Sequence, residues 1–202
     1  MAEPITKWTG ARARRAGRHF DRAQRRRQDA ALFDLLLRDL DGAATVLDAG
    51  AGTGYLTLAL APALTTGRVI ALELSADMLR QLEQRAAAAG LQQRVVARQA
   101  PASASGLADG SVDLIISHSL LHELQDVDAT LREFARVLRP GGRMVVVDFR
   151  DTWIGRLMML WHPRGAHGPF SADGLARALE AAGLREVTVR IQGERLLALA
   201  RR

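Results

Sequence analysis

Residues 45–60, "TVLDAGAGTGYLTLAL", place Gly50, Gly52 and Gly54 at alternate positions between an apolar β-branched run and a stretch with helical character. Glycines so close together predict a sharp turn from strand to helix, where bare backbone comes against a ligand. Gly50 and Gly52 make that turn; Gly54 opens the helix and lets it pack closely. In an open α/β sheet, ligands sit beyond the carboxyl ends of the strands, at a turn of this kind. The dinucleotide pattern G-x-G-x-x-G requires glycine at position 55, and this chain has Tyr55. Glu73 ends the next apolar run, where a carboxylate can accept hydrogen bonds from both hydroxyls of a ribose. Turn and acid together point to an adenosine-type ligand.

Outward from this stretch, short apolar runs alternate with amphipathic segments. "TVLDA", "RVIALEL", "RVVARQ", "SVDLIIS" and "GRMVVVDF" read as five strands. Residues 54–63 and 76–89 read as helices, the second ended by Gly90, and a further helix follows the fourth strand to Leu138. Before them, "QDAALFDLLLRDL" has helical spacing with Leu32, Leu35, Leu36 and Leu40 on one side. After them, "SADGLARALEAAGL" reads as a helix capped by Ser171 and closed by Gly183, and two strands around Gln192-Gly193 read as a hairpin. Nearly continuous apolar strands separated by helices predict a parallel sheet covered on both faces.

The 202 residues contain no cysteine, which excludes disulfides, thiolate metal sites and a cysteine nucleophile. No apolar run approaches the roughly 18 residues needed to span a bilayer, and the basic first residues are unlike a signal peptide, so a cytoplasmic protein is expected. The net charge of +6 is unevenly placed. Residues 1–30 carry nine of the 28 basic side chains and three of the 22 acidic ones, leaving 19 of each elsewhere. The expected organisation is a basic helical arm over residues 1–30 followed by a neutral domain over 31–202. The arm is either a solvated helix or an anion-binding surface.

Four motifs then carry a resemblance. In order, "VLDAGAGTGYLT", "VIALELSADML", "SVDLIISHSLLHEL" and "LREFARVLRPGGRMVVVDF" resemble the successive motifs of class I S-adenosylmethionine-dependent methyltransferases. The resemblance covers roughly residues 30–202. It implies a Rossmann-like, doubly wound, mostly parallel α/β sheet of seven strands with the last inserted antiparallel, in agreement with the terminal hairpin. It implies S-adenosylmethionine as cofactor, its methionine end against Gly50, Gly52, Thr53, Gly54 and Tyr55, with Asp48 helping to hold the amino end. Glu73 becomes the ribose ligand, and Leu74 with Met78 the apolar wall beside the adenine. Gln99 and Ala100 stand where many members carry an aspartate-containing loop; an amide at Gln99 can still accept from the adenine amino group. Ser117, at the end of the fourth strand, completes the cofactor set.

Methyl transfer from a sulfonium asks chiefly for alignment and exclusion of water. A base is needed only when the acceptor loses a proton, and His118 and His122 lie where the acceptor should approach. Base or packing residue are both open for each, with His118 favoured as base. As i, i+4 histidines on a helix they could also hold a metal, but no third ligand of suitable spacing follows, and none is expected. The chain has "SHSL" where enzymes that methylate exocyclic amines of bases commonly carry a proline-rich segment. Without a thiol, cytosine-carbon and arsenic methylation are also excluded. What remains is mainly O-, N- or C-methylation of a small molecule, which the apolar segment after the fifth strand makes hydrophobic or aromatic.

The segment "TWIGRLMMLWHPRGAHGPF" brings Trp153, Leu157, Met158, Leu160 and Trp161 to the place where relatives elaborate a substrate cover. An adaptable apolar cover, an ordinary buried helix face and an interfacial membrane contact are the three readings. Two rival functions stay open: an RNA methyltransferase guided by the arginine arm, and a non-catalytic cofactor-binding protein.

Overall fold

β-Branched and aliphatic runs become the central strands, which are buried along most of their length, whereas the two edge strands are more exposed. The computed structural model describes residues 29–38, 40–158 and 166–202. The basic arm up to residue 28 and the second tryptophan of the apolar segment, Trp161, lie outside the described residues. The strands form a seven-stranded mixed sheet in the order β3-β2-β1-β4-β5-β7-β6. The chain divides into two units, one ending at Pro101 and the other spanning Ala102–Arg202.

In the first unit, α1 (Ala30–Leu37) buries Leu32 and Leu36, one turn apart, and ends before Leu40. The strands β1 (Thr45–Ala49), β2 (Arg68–Glu73) and β3 (Val95–Gln99) are parallel. Their register sets Glu73 beside Gln99, so the acid and the amide share one strand end. Helix α2 (Tyr55–Leu60) runs on into a 3₁₀ turn at Ala61–Ala63. Helix α3 (Ala76–Ala88) starts on Ser75, whose hydroxyl accepts from the Met78 N–H at 3.3 Å, and buries Met78, Leu79, Leu82 and Ala86.

In the second unit, β4 (Val112–His118) and β5 (Leu138–Phe149) run parallel, with Ser117 paired to Val146 and His118 to Val147. The expected breaker "RPGG" lies within β5 as an irregularity, the register jumping from Val112↔Leu138 to Leu114↔Arg143. Helix α4 (Val127–Val137) is capped by Asp126, whose carboxylate accepts from Ala129 N at 2.8 Å, and buries Val127, Thr130, Leu131, Phe134 and Val137 along one stripe. Helices α5 (Trp153–Met158) and α6 (Ala172–Ala181) follow, the latter capped by Ser171 as its sequence predicts. Strand β7 (Arg195–Arg201) pairs antiparallel with both β5 and β6 (Arg185–Gln192). The terminal hairpin is therefore present, turning at Gly193 and Glu194, and β7 is the inserted antiparallel strand. No helix among the described residues is long and apolar enough to cross a membrane.

Candidate active site

The glycine turn has the conformation that its composition predicts. Gly50, Gly52 and Gly54 have φ of 73°, 55° and 88°, in the left-handed region that side chains disfavour. Gly54 is constrained twice, because a Cβ there would also fall 2.8 Å from Leu82 Cγ of α3. It thus sets the close approach of α2 to α3. The turn is tied to β2 by Gly50 N and Ala51 N, which donate to Leu72 O at 2.8 and 3.0 Å.

Glu73 completes the cradle. Its Oε2 accepts from Gly52 N at 3.1 Å and its Oε1 from Ser75 N at 2.8 Å, so one buried carboxylate joins the turn to the start of α3. Beneath Gly52, a Cβ would meet Met78 Sδ at 3.7 Å, an ordinary contact. Leu74 is half-buried, and its carbonyl accepts from Gln99 Nε2 at 3.2 Å, which gives the acceptor role of that amide to Oε1. Ala100 follows half-buried.

Asp48 has a different surrounding. Its Oδ2 accepts from Thr57 N at 2.9 Å and Thr57 Oγ1 at 2.6 Å, which anchors the first turn of α2. Burial pushes its carboxyl up to about 6; the Thr57 hydrogen bonds oppose this and the Glu73 charge adds to it. Two acids near the ends of adjacent strands, one held toward neutrality, form an electrostatic setting that a cationic ligand relieves.

Two of the expected cofactor residues have their polar ends occupied within the protein. Thr53 is buried, and its carbonyl and Oγ1 accept from Arg85 Nη1 at 2.8 and 3.3 Å. The Tyr55 hydroxyl donates to Asp29 Oδ2 at 3.0 Å, and its ring meets Phe33 edge-on. Arg85 and Asp29 are supports that the sequence reading did not single out. Each lies more than 25 residues from its partner, with no periodic signal to mark it.

In the second unit, Ser117 is fully buried and its Oγ has no hydrogen-bond partner among the described residues. His118 closes β4 half-buried, its Nδ1 3.3 Å from Ser119 Oγ. Ser119 then takes a φ of 56°, which ends the strand. The two histidines do not share a helix: His122 sits in a 3₁₀ turn, Leu121–Glu123, and α4 starts only at Val127, where Asp126 supplies the cap. No cluster of three metal-binding side chains occurs among the described residues.

His122 is 1% exposed, and its Nδ1 lies 2.6 Å from Asp148 Oδ1. The sequence reading missed Asp148, although an acid inside "MVVVDF" is the anomaly that marks a buried polar contact. The apolar segment also departs from one of its readings. Trp153 is 75% and Leu157 53% exposed, so this face of α5 is not an ordinary buried one.

Comparison with known proteins decides the family. A methyltransferase-domain family model matches residues 47–146, which hold the glycine turn, Glu73 and both histidines. A malonyl-acyl-carrier-protein O-methyltransferase of Methylococcus capsulatus is 35% identical over 137 residues, 68% of this chain and 49% of that protein. The ubiquinone/menaquinone biosynthesis C-methyltransferase UbiE of Syntrophotalea carbinolica is 34% identical over 142 residues, 68% of this chain and 59% of its own length. The chain belongs to the class I S-adenosylmethionine-dependent methyltransferases. It spans about half the length of these curated relatives. A SAM-dependent methyltransferase structure from Aquifex aeolicus shares the fold, with a TM-score of 0.71 at 23% identity, covering 91% of this chain and 95% of that one.

Membership implies S-adenosylmethionine as cofactor, and the first unit suits it. The left-handed glycines leave backbone bare, Glu73 offers carboxylate oxygens to hydroxyls, and the paired acids suit a cation.

Proposed function

We propose that this methyltransferase moves a methyl group to a small apolar acceptor. The observation that supports it most is Glu73, a buried carboxylate oriented by the glycine turn at the end of β2. S-adenosylmethionine supplies the activated, sulfonium-bound methyl group. The cradle residues Gly50, Gly52, Glu73, Leu74, Met78 and Gln99 bind and orient the cofactor, which is most of what such a transfer requires. Asp48 acts through charge and through its hold on Thr57. The exposed Trp153 and Leu157 supply apolar surface for the acceptor. Relatives named for O- and for C-methylation share this scaffold, so the atom methylated follows from the acceptor.

Where the acceptor has a proton to lose, His118 takes it. His118 is half-buried at the end of β4, whereas His122 is buried and clamped by Asp148. The test is transfer of labelled methyl from S-adenosylmethionine to a panel holding an acyl malonyl thioester, an alkylated hydroquinone, a catechol and transfer RNA. Labelling of a small apolar member, cut about 10²- to 10⁴-fold by His118→Gln with cofactor affinity kept, is the expected result. Labelling of the RNA alone overturns the acceptor class.

A further inference from the structure

Asp148 accepts four hydrogen bonds from a fully buried position in the second unit, and the methyl-transfer reading gives it no part. Oδ2 accepts from Leu121 N at 2.8 Å and His122 N at 3.4 Å; Oδ1 faces Phe149 N at 2.7 Å and His122 Nδ1 at 2.6 Å. Every other donor to this carboxylate is a backbone N–H, so the side chain is an acceptor throughout and the imidazole supplies the proton from Nδ1. The Nε2 edge of the same ring lies 3.8 Å from Glu123 Oε1, and Phe149 packs edge-on to the ring with centroids 4.8 Å apart.

The turn that Asp148 holds is in turn bonded to the chain entering α6. Gly168 N donates to His122 O at 3.1 Å, and His167 N donates to Leu124 O at 2.7 Å. His167 stacks on Phe170 at 4.3 Å. Phe170 N donates to Phe149 O at 2.9 Å, and Asp151 N to Phe170 O at 2.7 Å, closing the neck of the segment that carries α5. Three stretches far apart in sequence, 121–124, 148–151 and 166–170, therefore meet around one buried carboxylate.

We infer that Asp148 is a positioning residue of this methyltransferase: it fixes the Nδ1–H form of His122 and, through that turn, holds residues 166–170 at the neck of the α5 segment. His122 then serves as the link of this latch and not as a base. What the latch serves rests on the proposed acceptor reading; the latch itself does not, and its test needs no acceptor. A network with every member satisfied around one buried charge gives this one arrangement, because removing the charge leaves several donors without an acceptor.

The experiment compares full-length wild type with Asp148→Asn, His122→Gln and His122→Phe by amide hydrogen exchange, by ¹⁵N spectra of the imidazoles and by titration with S-adenosylmethionine. Wild type should show a proton on His122 Nδ1. Asp148→Asn should lose it and speed exchange at His167 and Gly168 at least tenfold, with cofactor affinity within about threefold. His122→Phe, which keeps a ring but has no N–H, should speed the same two amides, whereas His122→Gln, which can still donate to Asp148, should keep them within a few fold. An unprotonated Nδ1 in wild type overturns the proposal. So does unchanged exchange at the two amides in His122→Phe, the variant that decides if Asp148→Asn fails to fold. A rise at His167 and Gly168 that does not exceed the rise over β5 and β7 also overturns it, since that reports general fold support alone. Loss of cofactor binding in wild type would instead count against the methyltransferase reading and leave the latch standing.

Discussion

The turn after β1 and the turn after β4 are both tight connections leaving a parallel strand, yet they are held by opposite means. The first is shaped by backbone: three left-handed glycines, with Glu73 receiving N–H groups from positions 52 and 75. The second is shaped by side chains: a fully buried Asp148 gathers the N–H groups of the turn and the imidazole of His122, 26 residues away. A backbone-shaped turn can present bare amides to a ligand, whereas a side-chain-shaped one fixes where neighbouring segments lie. Variants in the first should therefore disturb cofactor binding, and variants in the second should disturb the fold of its own unit.

The largest effect expected is that of Asp148→Ala. Truncation leaves Leu121 N, His122 N, Phe149 N and the His122 ring without their acceptor in a buried place. These orphaned donors are expected to cost about 3 to 5 kcal/mol. Urea unfolding measures this, and the molecules still folded should bind S-adenosylmethionine with unchanged affinity. A loss below about 1 kcal/mol would mean that water replaces the carboxylate and that the contrast between the two turns is false.

Next comes Asp48, which tests whether the backbone-shaped turn also carries a buried charge. Its carboxyl is raised from 3.8 to about 6 by burial. Between those values the folded protein keeps a proton that the unfolded chain has already released. Asp48 therefore favours folding at low pH, and this contribution is lost as pH rises from about 4 to about 6. The difference in stability between Asp48→Asn and wild type should accordingly grow in favour of the variant by about 3 kcal/mol across that window, then level off. Denaturant unfolding of both proteins at pH 4 and pH 8 gives that difference directly. A pH-independent difference would place Asp48 in a wetter setting.

Glu73→Ala should give the mirror image of Asp148→Ala. Cofactor affinity should fall by about 1.5 to 3 kcal/mol by titration calorimetry, because hydrogen bonds to a charged group are lost. Its stability loss should stay below that of Asp148→Ala, since two backbone donors to Glu73 are orphaned against four donors to Asp148. Undiminished affinity would separate Glu73 from the ribose and leave it only as a brace for the turn.

The same contrast explains how much could be read beforehand. The strands, the Ser171 cap, the terminal hairpin and the glycine turn are local in sequence, and glycine spacing reports a backbone conformation almost directly. The position of Glu73 was legible as the acid that ends the strand following the turn and its helix. His122 was legible as a residue of interest but not as a partner. Placing it on a helix with His118 failed because Ser119 and the Asp126 cap shape that connection, and neither follows from the spacing of the histidines. Asp148, Arg85 and Asp29 depend on contacts across 26 to 32 residues, which periodicity cannot carry.

The smallest effect expected lies at Trp153. A side chain left 75% exposed has little burial to lose, and Leu157, one turn on, is itself 53% exposed. Trp153→Ala should therefore change unfolding stability by less than about 0.5 kcal/mol, the range of surface substitutions. Large apolar side chains grouped on one exposed face commonly mark a place where something binds. If an apolar acceptor is what they meet, the same variant should raise the KM for that acceptor while leaving cofactor affinity and the exchange of His167 and Gly168 unchanged. The neck is held by Asp148 and by backbone bonds at Phe149, Asp151 and Phe170, none of which involves the indole. A stability loss above about 1 kcal/mol would show that the indole is covered in solution and return α5 to the role of a packing helix. An unchanged KM with unchanged stability would move acceptor recognition away from this face, without touching the latch or the cradle.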